Sequence, residues 1–271
     1  MQDSHERIYL VGCQRSGTTL LRLILESHPD VFCYDEILAY QALLSNQIAA
    51  RPGATRVVFK IPRWTEQLLD PVLWDAGIPE EAQNFYRGEK IIFLVRDPKG
   101  TIGSMKKLQV GPKNWLETHP HSIISAKLQR NSHFRSEYAE EFERATSSPD
   151  CAILIGCLYW KYKTSALFRY RELQLPMAII RYESLVTQPE PILRKLCDFL
   201  ELPWDENLLH HERHEHTEVF PTGVTLGNTD PHAPVHVRSV EEWRSLLSES
   251  ESALIEESTR PVYDRLEGFL E

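Results

Sequence analysis

The stretch Ile8-Tyr9-Leu10-Val11-Gly12-Cys13-Gln14-Arg15-Ser16-Gly17-Thr18-Thr19-Leu20-Leu21-Arg22 decides the fold of this chain. An apolar run ends at a glycine, a short loop with a second glycine follows, and a helical pattern then begins. A strand, a tight loop and a helix in this order present backbone N–H groups and a helix N-terminus to an anion. The spacing Gly12-x4-Gly17 is that of a P-loop, but Thr18 stands where a P-loop has its lysine. We therefore predict a loop that binds phosphate without the usual machinery of a nucleoside triphosphatase, with Arg15 as its cation.

Composition favours one compact domain. The chain has 271 residues, 42% of them hydrophobic and 25% charged, so we expect a single domain over residues 1–271. A net charge of −9 disfavours general binding to nucleic acid, and no apolar stretch approaches the length of a membrane span. The polar N-terminus without a secretory leader and the five scattered cysteines predict a cytoplasmic protein with reduced thiols and with neither nucleic-acid nor membrane partners.

Apolar runs and helical periodicities alternate along the chain. Four strands are predicted, at residues 8–11, 57–60, 91–95 and 177–182. Helices are predicted between and after them, at residues 18–27, 120–130, 133–145, 153–173, 192–200, 240–247 and 254–270. This alternation predicts an α/β fold, a single domain with a central parallel sheet flanked by helices and a P-loop-like first βα turn. Residues 205–238 are rich in His, Pro, Gly and Thr and predict a long irregular segment.

Basic residues follow the predicted strands. Arg15 lies in the loop after the first strand, Lys60 ends the second, and Arg96 follows the third. In an open parallel sheet, ligands bind beyond the carboxyl ends of the strands. We therefore expect these three cations to converge on one anionic ligand. The alternative for Lys60 and Arg96 is that each pairs with a surface carboxylate.

Three segments in order resemble the sulfotransferase family that uses 3′-phosphoadenosine 5′-phosphosulfate. Gln14-Arg15-Ser16-Gly17-Thr18-Thr19-Leu20 resembles the loop that binds the 5′-phosphosulfate. Leu94-Val95-Arg96-Asp97-Pro98, with Ser104 eight residues after Arg96, resembles the 3′-phosphate motif, and Arg181-Tyr182-Glu183-Ser184-Leu185 resembles an R-Y-E-x-L segment that follows a strand. The resemblance runs from about residue 8 to residue 204.

Within that family, the chain looks most similar to the tyrosylprotein sulfotransferases. Glu36 lies twenty-one residues after Arg15, at the spacing of their catalytic glutamate, and Pro203-Trp204 followed by Leu209-His210-His211-Glu212 also resembles them. The Glu36 spacing is shared with members that have other acceptors. The acceptor hydroxyl therefore stays open among tyrosyl residues, phenols, sugars and natural-product alcohols. Family members often form homodimers, and no segment of this chain decides that point.

The resemblance implies roles for individual residues. Glu36 would be the general base, because an attacking phenol with a pKa of about 10 must lose its proton. Arg15 and Lys60 would neutralise charge on the leaving phosphate, with no metal required. The donor would be bound by Gln14, Arg15, Ser16, Gly17, Thr18, Thr19, Leu20, Arg96, Ser104, Tyr182 and Arg238.

Alternatives remain at three places. Glu36 could instead be a solvated loop carboxylate beside Asp35, and Arg238 a surface arginine paired with Glu241 or Glu242. Residues 210–216 place two histidines four apart, but H-E-x-x-H is absent, so we favour a solvated turn over a metal site. At the level of function, the rivals are a P-loop kinase or other phosphoryl transferase, which the missing loop lysine disfavours, and a non-catalytic nucleotide-binding module.

Overall fold

A five-stranded parallel sheet forms the centre of the protein. The structure, a computed structural model, describes residues 5–68, 86–216 and 229–270. The strands are β1 (Glu6–Gly12), β2 (Val31–Tyr34), β3 (Arg56–Lys60), β4 (Lys90–Val95), β5 (Gln109–Val110), β6 (Lys113–Asn114) and β7 (Met177–Arg181). The central sheet has the order β2-β3-β1-β4-β7 with every pairing parallel, and β5 and β6 form a separate antiparallel hairpin. Strand β1 lies at the middle of the sheet, with β2 and β3 on one side and β4 and β7 on the other. The strand order therefore reverses beside β1, and open parallel sheets bind ligands at such a switch point.

Helices cover both faces of this sheet. They are α1 (Thr18–Glu26), α2 (Glu36–Ser45), α3 (Pro98–Lys107), α4 (Trp115–Arg130), α5 (Ser132–Thr146), α6 (Cys151–Glu172), α7 (Tyr182–Thr187), α8 (Pro189–Leu200), α9 (Arg238–Glu241), α10 (Trp243–Leu246) and α11 (Glu249–Leu270). Alternate residues of β1 enter different apolar clusters. Ile8 and Leu10 pack with side chains of α1 and α8, whereas Tyr9 and Val11 pack with side chains of α2 and α6. Burial on both faces explains why the strands are continuously apolar in sequence.

The first βα turn is fixed by its glycines and by a threonine from another loop. At Gly12, whose φ is +140°, an added Cβ would lie 2.2 Å from the Leu94 carbonyl oxygen of the adjacent strand. The Thr65 hydroxyl accepts a hydrogen bond from the Gly12 N–H at 2.9 Å and donates to the Gly12 carbonyl at 2.8 Å. Gly17 then begins α1 in the left-handed conformation. The chain thus turns sharply enough to place the N-terminus of α1 at the carboxyl edge of the sheet.

Several predicted boundaries were wrong. Strand β2 and helices α2 and α3 were not predicted, and Glu36 is the first residue of α2 rather than part of a solvated loop. The strand predicted at residues 177–182 ends at Arg181, because Tyr182 already begins α7. The helix predicted at 240–247 is two short helices, α9 and α10.

The segment predicted to be irregular is only partly described. Within it, Glu206–Leu209 and His211–Arg213 form single 3₁₀ turns, and residues 217–228 lie outside the described residues. Among the helices that the structure does describe, none combines the length and the apolarity that crossing a bilayer demands.

Candidate active site

A cavity of about 430 Å³ opens at the carboxyl edge of the sheet, beside the first βα turn. Its wall is built from the start of α1, the end of β4, helix α3, the start of α7 and the late segment 229–242. Most of the predicted donor-binding residues line it together, namely Arg15, Gly17, Thr18, Thr19, Leu20, Arg96, Ser104, Tyr182 and Arg238. Arg15 and Arg96 thus meet at this edge of the sheet, whereas Lys60, the third cation expected there, is not among the residues that line the cavity.

The N-terminus of α1 forms one side of this cavity. The first intrahelical bond runs from the Leu21 N–H to the Gly17 carbonyl at 3.1 Å. The N–H groups of Thr18, Thr19 and Leu20 precede that bond and have no place in the helical ladder. Because the N-cap is a glycine, it has no side chain to occupy these donors. Together with the helix dipole, they make this helix end attractive to an anion.

Two arginines meet at the cavity wall. The Arg15 guanidinium donates from Nε and Nη2 to the Ser104 hydroxyl at 3.3 and 3.1 Å. Arg96 donates to the Arg15 carbonyl at 3.1 Å and to the Ser239 carbonyl at 2.7 Å. Within the described ranges Arg96 forms no ion pair, and its buried Nε has no hydrogen-bond partner. Burial, with the charge of Arg96 as the next cause, lowers the pKa of Arg15 to about 10. A bound anion would relieve this repulsion between cations.

The ring of Tyr182 fixes the orientation of Arg96. The Arg96 guanidinium lies over this ring, 4.3 Å from its centroid, a cation–π arrangement. The Tyr182 hydroxyl shares a hydrogen bond of 2.6 Å with the Ser239 hydroxyl. Trp160 donates from its indole N–H to the Arg96 carbonyl at 3.1 Å. The guanidinium and its backbone are thus both held, which prepares Arg96 for a directed contact with an oxyanion.

Glu36 and Lys60 lie together on the other side of the turn. The Lys60 ammonium is 3.7 Å from Glu36 Oε2, and both side chains are largely buried. Burial lowers the pKa of Lys60, against the opposing effect of Glu36, and Arg15 lowers it further. The second oxygen of Glu36, Oε1, accepts from the Gln14 amide at 3.2 Å and from the Tyr40 hydroxyl at 3.1 Å. The side chains of Glu36 and Lys60 therefore lie beside Arg15 of the β1–α1 turn.

A family comparison agrees with this geometry. The model of the sulfotransferase family matches residues 7–68 and 80–206. This chain belongs to the sulfotransferase family. It is 24% identical over 269 residues to the protein-tyrosine sulfotransferase of Drosophila melanogaster, covering 87% of this chain and 46% of that protein. It is 26% identical over 271 residues to protein-tyrosine sulfotransferase 1 of Danio rerio, covering 87% and 65%. The chain therefore spans about half to two thirds of the length of these relatives.

Solved sulfotransferases share the fold. The sulfotransferase domain from the curacin biosynthetic pathway superposes with a TM-score of 0.56 at 18% identity, covering 95% of this chain and 98% of that one. The mouse sulfotransferase SULT7A1, solved in complex with PAP, gives a TM-score of 0.52 at 16% identity, covering 93% and 83%. At these identities the likeness concerns the fold, and it confirms the predicted sulfotransferase architecture with a central parallel sheet.

Two predicted donor-binding residues of this sulfotransferase-family protein lie away from the cavity wall. Gln14 turns its amide toward Glu36, because the Tyr159 hydroxyl donates to Gln14 Oε1 from the opposite side. Ser16 is fully buried, and its N–H bonds the Cys13 carbonyl at 3.1 Å within the turn. Neither residue is among those that line the cavity. The family motif thus includes residues that shape this loop without facing the space it encloses.

Arg238 is exposed and lies at the cavity rim. Its predicted alternative partners bind other cations, since Glu241 pairs with Arg244 and Glu242 with Lys107. Among the described residues, Arg238 has no ion pair. This placement favours a role toward an anionic ligand over the surface pairing.

Sequence reasoning missed the residues that support the site from elsewhere in the chain. They are Tyr40, Thr65, Tyr159 and Ser239. Tyr40 lies one helical turn after Glu36, so the i,i+4 spacing would have found it had α2 been recognised. The other three contact the site through long-range packing, for which the sequence carries no local signal.

The histidine-rich segment 210–216 contacts α1 through the side chain of His216. His216 Nδ1 lies 3.0 Å from Glu26 Oε2, and its Nε2 lies 2.8 Å from the His211 carbonyl. Glu26 also pairs with Arg22 at 2.7 Å. His216 therefore links the 3₁₀ turn at His211 to helix α1. No group of three or more histidine, cysteine or acidic side chains suited to a metal ion is found in the described part of the chain.

Burial of His211 makes the stability of the protein depend on pH. Its ring is fully buried, and burial, with the nearby His216 as the next cause, lowers its pKa from 6.5 to about 4. Between these values only the unfolded chain takes up a proton at this position. The folded state is therefore destabilised as pH falls from 6.5 toward 4, and this contribution is constant above 6.5.

We expect His211 to contribute about 2 kcal/mol to the loss of unfolding free energy between pH 7.5 and pH 4.5. Urea unfolding of the wild type and of His211→Leu at both pH values measures it. The variant should show a correspondingly smaller difference between the two pH values. Equal differences in the two proteins would show that His211 does not cause the effect.

Proposed function

We propose that this protein transfers the sulfuryl group of 3′-phosphoadenosine 5′-phosphosulfate to an acceptor hydroxyl. The observation that carries the proposal is one arrangement at the carboxyl edge of the sheet. An uncapped helix N-terminus, Arg15 and Arg96 line a single cavity, and Glu36 and Lys60 lie together near Arg15. Membership of the sulfotransferase family supports the same activity.

The cavity suits a ligand with two anionic groups. The N-terminus of α1 and Arg15 would bind the 5′-phosphosulfate. Arg96, held by Tyr182 and hydrogen-bonded to neutral carbonyls, would bind the 3′-phosphate, with Ser104 adding a hydroxyl. Arg238 at the rim would add a further positive charge. The mouse sulfotransferase of similar fold was solved with PAP, which is the desulfated product of such a donor.

The chemistry needs one proton acceptor and several cationic groups. The acceptor oxygen attacks sulfur, its O–H proton passes to Glu36, and the bond between sulfur and the bridging phosphate oxygen breaks. A sulfate ester and adenosine 3′,5′-bisphosphate result. Negative charge grows on the departing phosphate, where Arg15, Lys60 and the N–H groups of α1 stabilise it. The residues themselves supply the positive charge that the transition state requires.

For the acceptor, we propose the phenolic hydroxyl of a tyrosyl residue. The relatives from Drosophila melanogaster and Danio rerio are both named as protein-tyrosine sulfotransferases. A base such as Glu36 would serve a phenol and an alcohol alike, so the choice of a tyrosyl acceptor rests on these relatives.

Calorimetry followed by a transfer assay tests the proposed function. The protein should bind adenosine 3′,5′-bisphosphate without added metal and should bind ATP–Mg²⁺ much more weakly. It should then move ³⁵S-sulfate from the donor to a tyrosyl peptide or to another hydroxyl acceptor in a panel of phenols, sugars and alcohols. Preference for ATP–Mg²⁺ would favour a phosphoryl transferase. Binding of the bisphosphate without transfer to any acceptor would favour a non-catalytic module.

Lys60→Met should lower kcat roughly 100-fold, because an ammonium that stabilises the leaving group is lost from a buried position. The dissociation constant of adenosine 3′,5′-bisphosphate should change only slightly. Lys90→Met is the matched control, since Lys90 begins β4 at the opposite edge of the sheet and pairs there with Glu6 and Glu201. Equal kcat values for the two variants would remove Lys60 from the mechanism.

A further inference from the structure

The hydrogen bond from Tyr40 to Glu36 has a fixed direction. The Arg63 backbone N–H donates to the Tyr40 hydroxyl oxygen at 3.1 Å. The hydroxyl proton is then available for Glu36 Oε1, which lies 3.1 Å away. Burial, with Glu36 as the next cause, raises the pKa of Tyr40 well above its ordinary value, so the phenol keeps its proton. Tyr40 therefore keeps its proton and directs it to Glu36 Oε1.

The orientation of the Gln14 amide is fixed from the other side. Tyr159 donates its hydroxyl proton to Gln14 Oε1, and burial raises the pKa of Tyr159 well above its ordinary value. With its oxygen engaged by Tyr159, Gln14 directs its NH₂ group to Glu36 Oε1 at 3.2 Å. A flipped amide would place its oxygen against the Glu36 carboxylate, which only accepts, so the observed orientation is the favoured one.

These contacts make the two oxygens of Glu36 unequal. Oε1 accepts from both Tyr40 and Gln14, whereas Oε2 is the oxygen that faces Lys60 at 3.7 Å. We infer that Tyr40 and Gln14 are positioning residues that engage Oε1 and leave Oε2 to receive the proton of the acceptor hydroxyl. This inference rests on the proposed function, in which Glu36 is the base. The groups that hold the base in place come from α2, the β1–α1 loop, α6 and the turn after β3.

The same hydrogen bonds give the variants a readout that depends on pH. Hydrogen bonds to an ionised carboxylate favour that form over the protonated one. The ionisable groups that interact with Glu36 are Arg15, Lys60, Tyr40 and Tyr159. Asp35 precedes Glu36 in the chain and acts on Lys60, and Arg63 acts on Tyr40. A variant that changes the hydroxyl of Tyr40 alone keeps the other groups, so its pH profile isolates that one hydrogen bond.

Tyr40→Phe tests the inference. We expect kcat at pH 7 to fall roughly tenfold and the acid limb of the kcat profile to move to higher pH by about 0.5–1 unit. The dissociation constant of adenosine 3′,5′-bisphosphate should stay within about twofold of the wild type, because Tyr40 is not among the residues that line the cavity. A merely structural role would lower activity without moving the limb.

Tyr34→Phe is the matched control. The Tyr34 hydroxyl donates to the Ala49 carbonyl at 2.6 Å and accepts from the Ala49 N–H at 2.7 Å. Tyr34→Phe therefore removes a comparable set of hydrogen bonds, close to α2 but without contact with Glu36. Its pH profile should match that of the wild type. An equal displacement of the limb in both variants would overturn the inference.

Substitutions of Gln14 provide a second test. Gln14→Met removes the amide and should shift the acid limb upward as Tyr40→Phe does. Gln14→Glu places a second carboxyl against Glu36 and should shift it further, because two adjacent carboxylates resist simultaneous ionisation. If the wild type transfers sulfate and none of these variants moves the limb, the positioning role is wrong and the proposed function stands. If the wild type transfers no sulfate from the donor, the proposed function itself fails, and this inference with it.

Discussion

Glu36→Gln is expected to lower kcat roughly 1,000-fold while the affinity for adenosine 3′,5′-bisphosphate stays near that of the wild type. The amide keeps the size of the side chain and can still accept from Gln14 and Tyr40 at one oxygen. It cannot remove a proton, and it places an NH₂ group where Oε2 now faces Lys60. Single-turnover measurement of ³⁵S transfer and calorimetry with the bisphosphate separate chemistry from binding.

The preceding residue provides the control. Asp35 is the N-cap of α2, and its side chain accepts from the Leu38 N–H at 3.0 Å. Asparagine caps a helix about as well as aspartate, so Asp35→Asn removes a neighbouring negative charge and keeps the helix. This variant should retain most of the activity. Simultaneous loss of binding and transfer in Glu36→Gln would instead assign Glu36 a structural role.

Gly17→Ala is the second substitution with a large expected effect. Gly17 has a φ of +96°, and an added Cβ would lie 2.3 Å from a ring carbon of Tyr182. The ring must move, and Arg96 lies over it. We expect roughly 100-fold weaker binding of adenosine 3′,5′-bisphosphate, because the start of α1 and the support of Arg96 are disturbed together. Stability should fall by about 1–3 kcal/mol. Calorimetry and urea unfolding measure the two effects.

Gly53→Ala separates backbone strain from the collision. Gly53 has a φ of +90°, and no atom of the described residues lies within 4 Å of a Cβ added there. The two variants therefore share the cost of a left-handed alanine, about 1 kcal/mol, and differ in the contact with Tyr182. Gly53→Ala should bind the bisphosphate as the wild type does. Equal affinity in Gly17→Ala would contradict the anion site proposed at α1.

The elements that sequence predicts well are those whose signal is local. β1, its loop and α1 follow one another within 21 residues, and their glycines determine the backbone directly. Helix α2 was missed because its residues are apolar on nearly all sides, so no 3.6-residue alternation marks it. Strand β2 has only four residues, too few for a pattern to stand out. The order of the strands depends on long-range pairing, which no single segment encodes.

In the candidate site, too, the residues with a local sequence signal could be predicted and the long-range contacts could not. Arg15, Arg96, Ser104 and Tyr182 were predicted to meet, because the carboxyl ends of parallel strands share an edge and the motifs fix the residues. The long-range contacts that support Glu36 could not be predicted. Tyr159 reaches Gln14 from α6, and Arg63 reaches Tyr40 through its backbone N–H. Such contacts depend on the angle at which helices cross the sheet, which hydrophobic patterning leaves undetermined.

The two hydrogen bonds between the Thr65 hydroxyl and the Gly12 backbone affect how a ligand would bind. One hydroxyl satisfies both main-chain polar groups of that glycine, so the turn keeps its shape without help from an incoming molecule. A ligand would then bind to a turn that already has its final conformation, so little conformational entropy would be lost in ordering the turn. The affinity and the association rate would then depend on how well the ligand fits the cavity and on the free-energy cost of desolvating it.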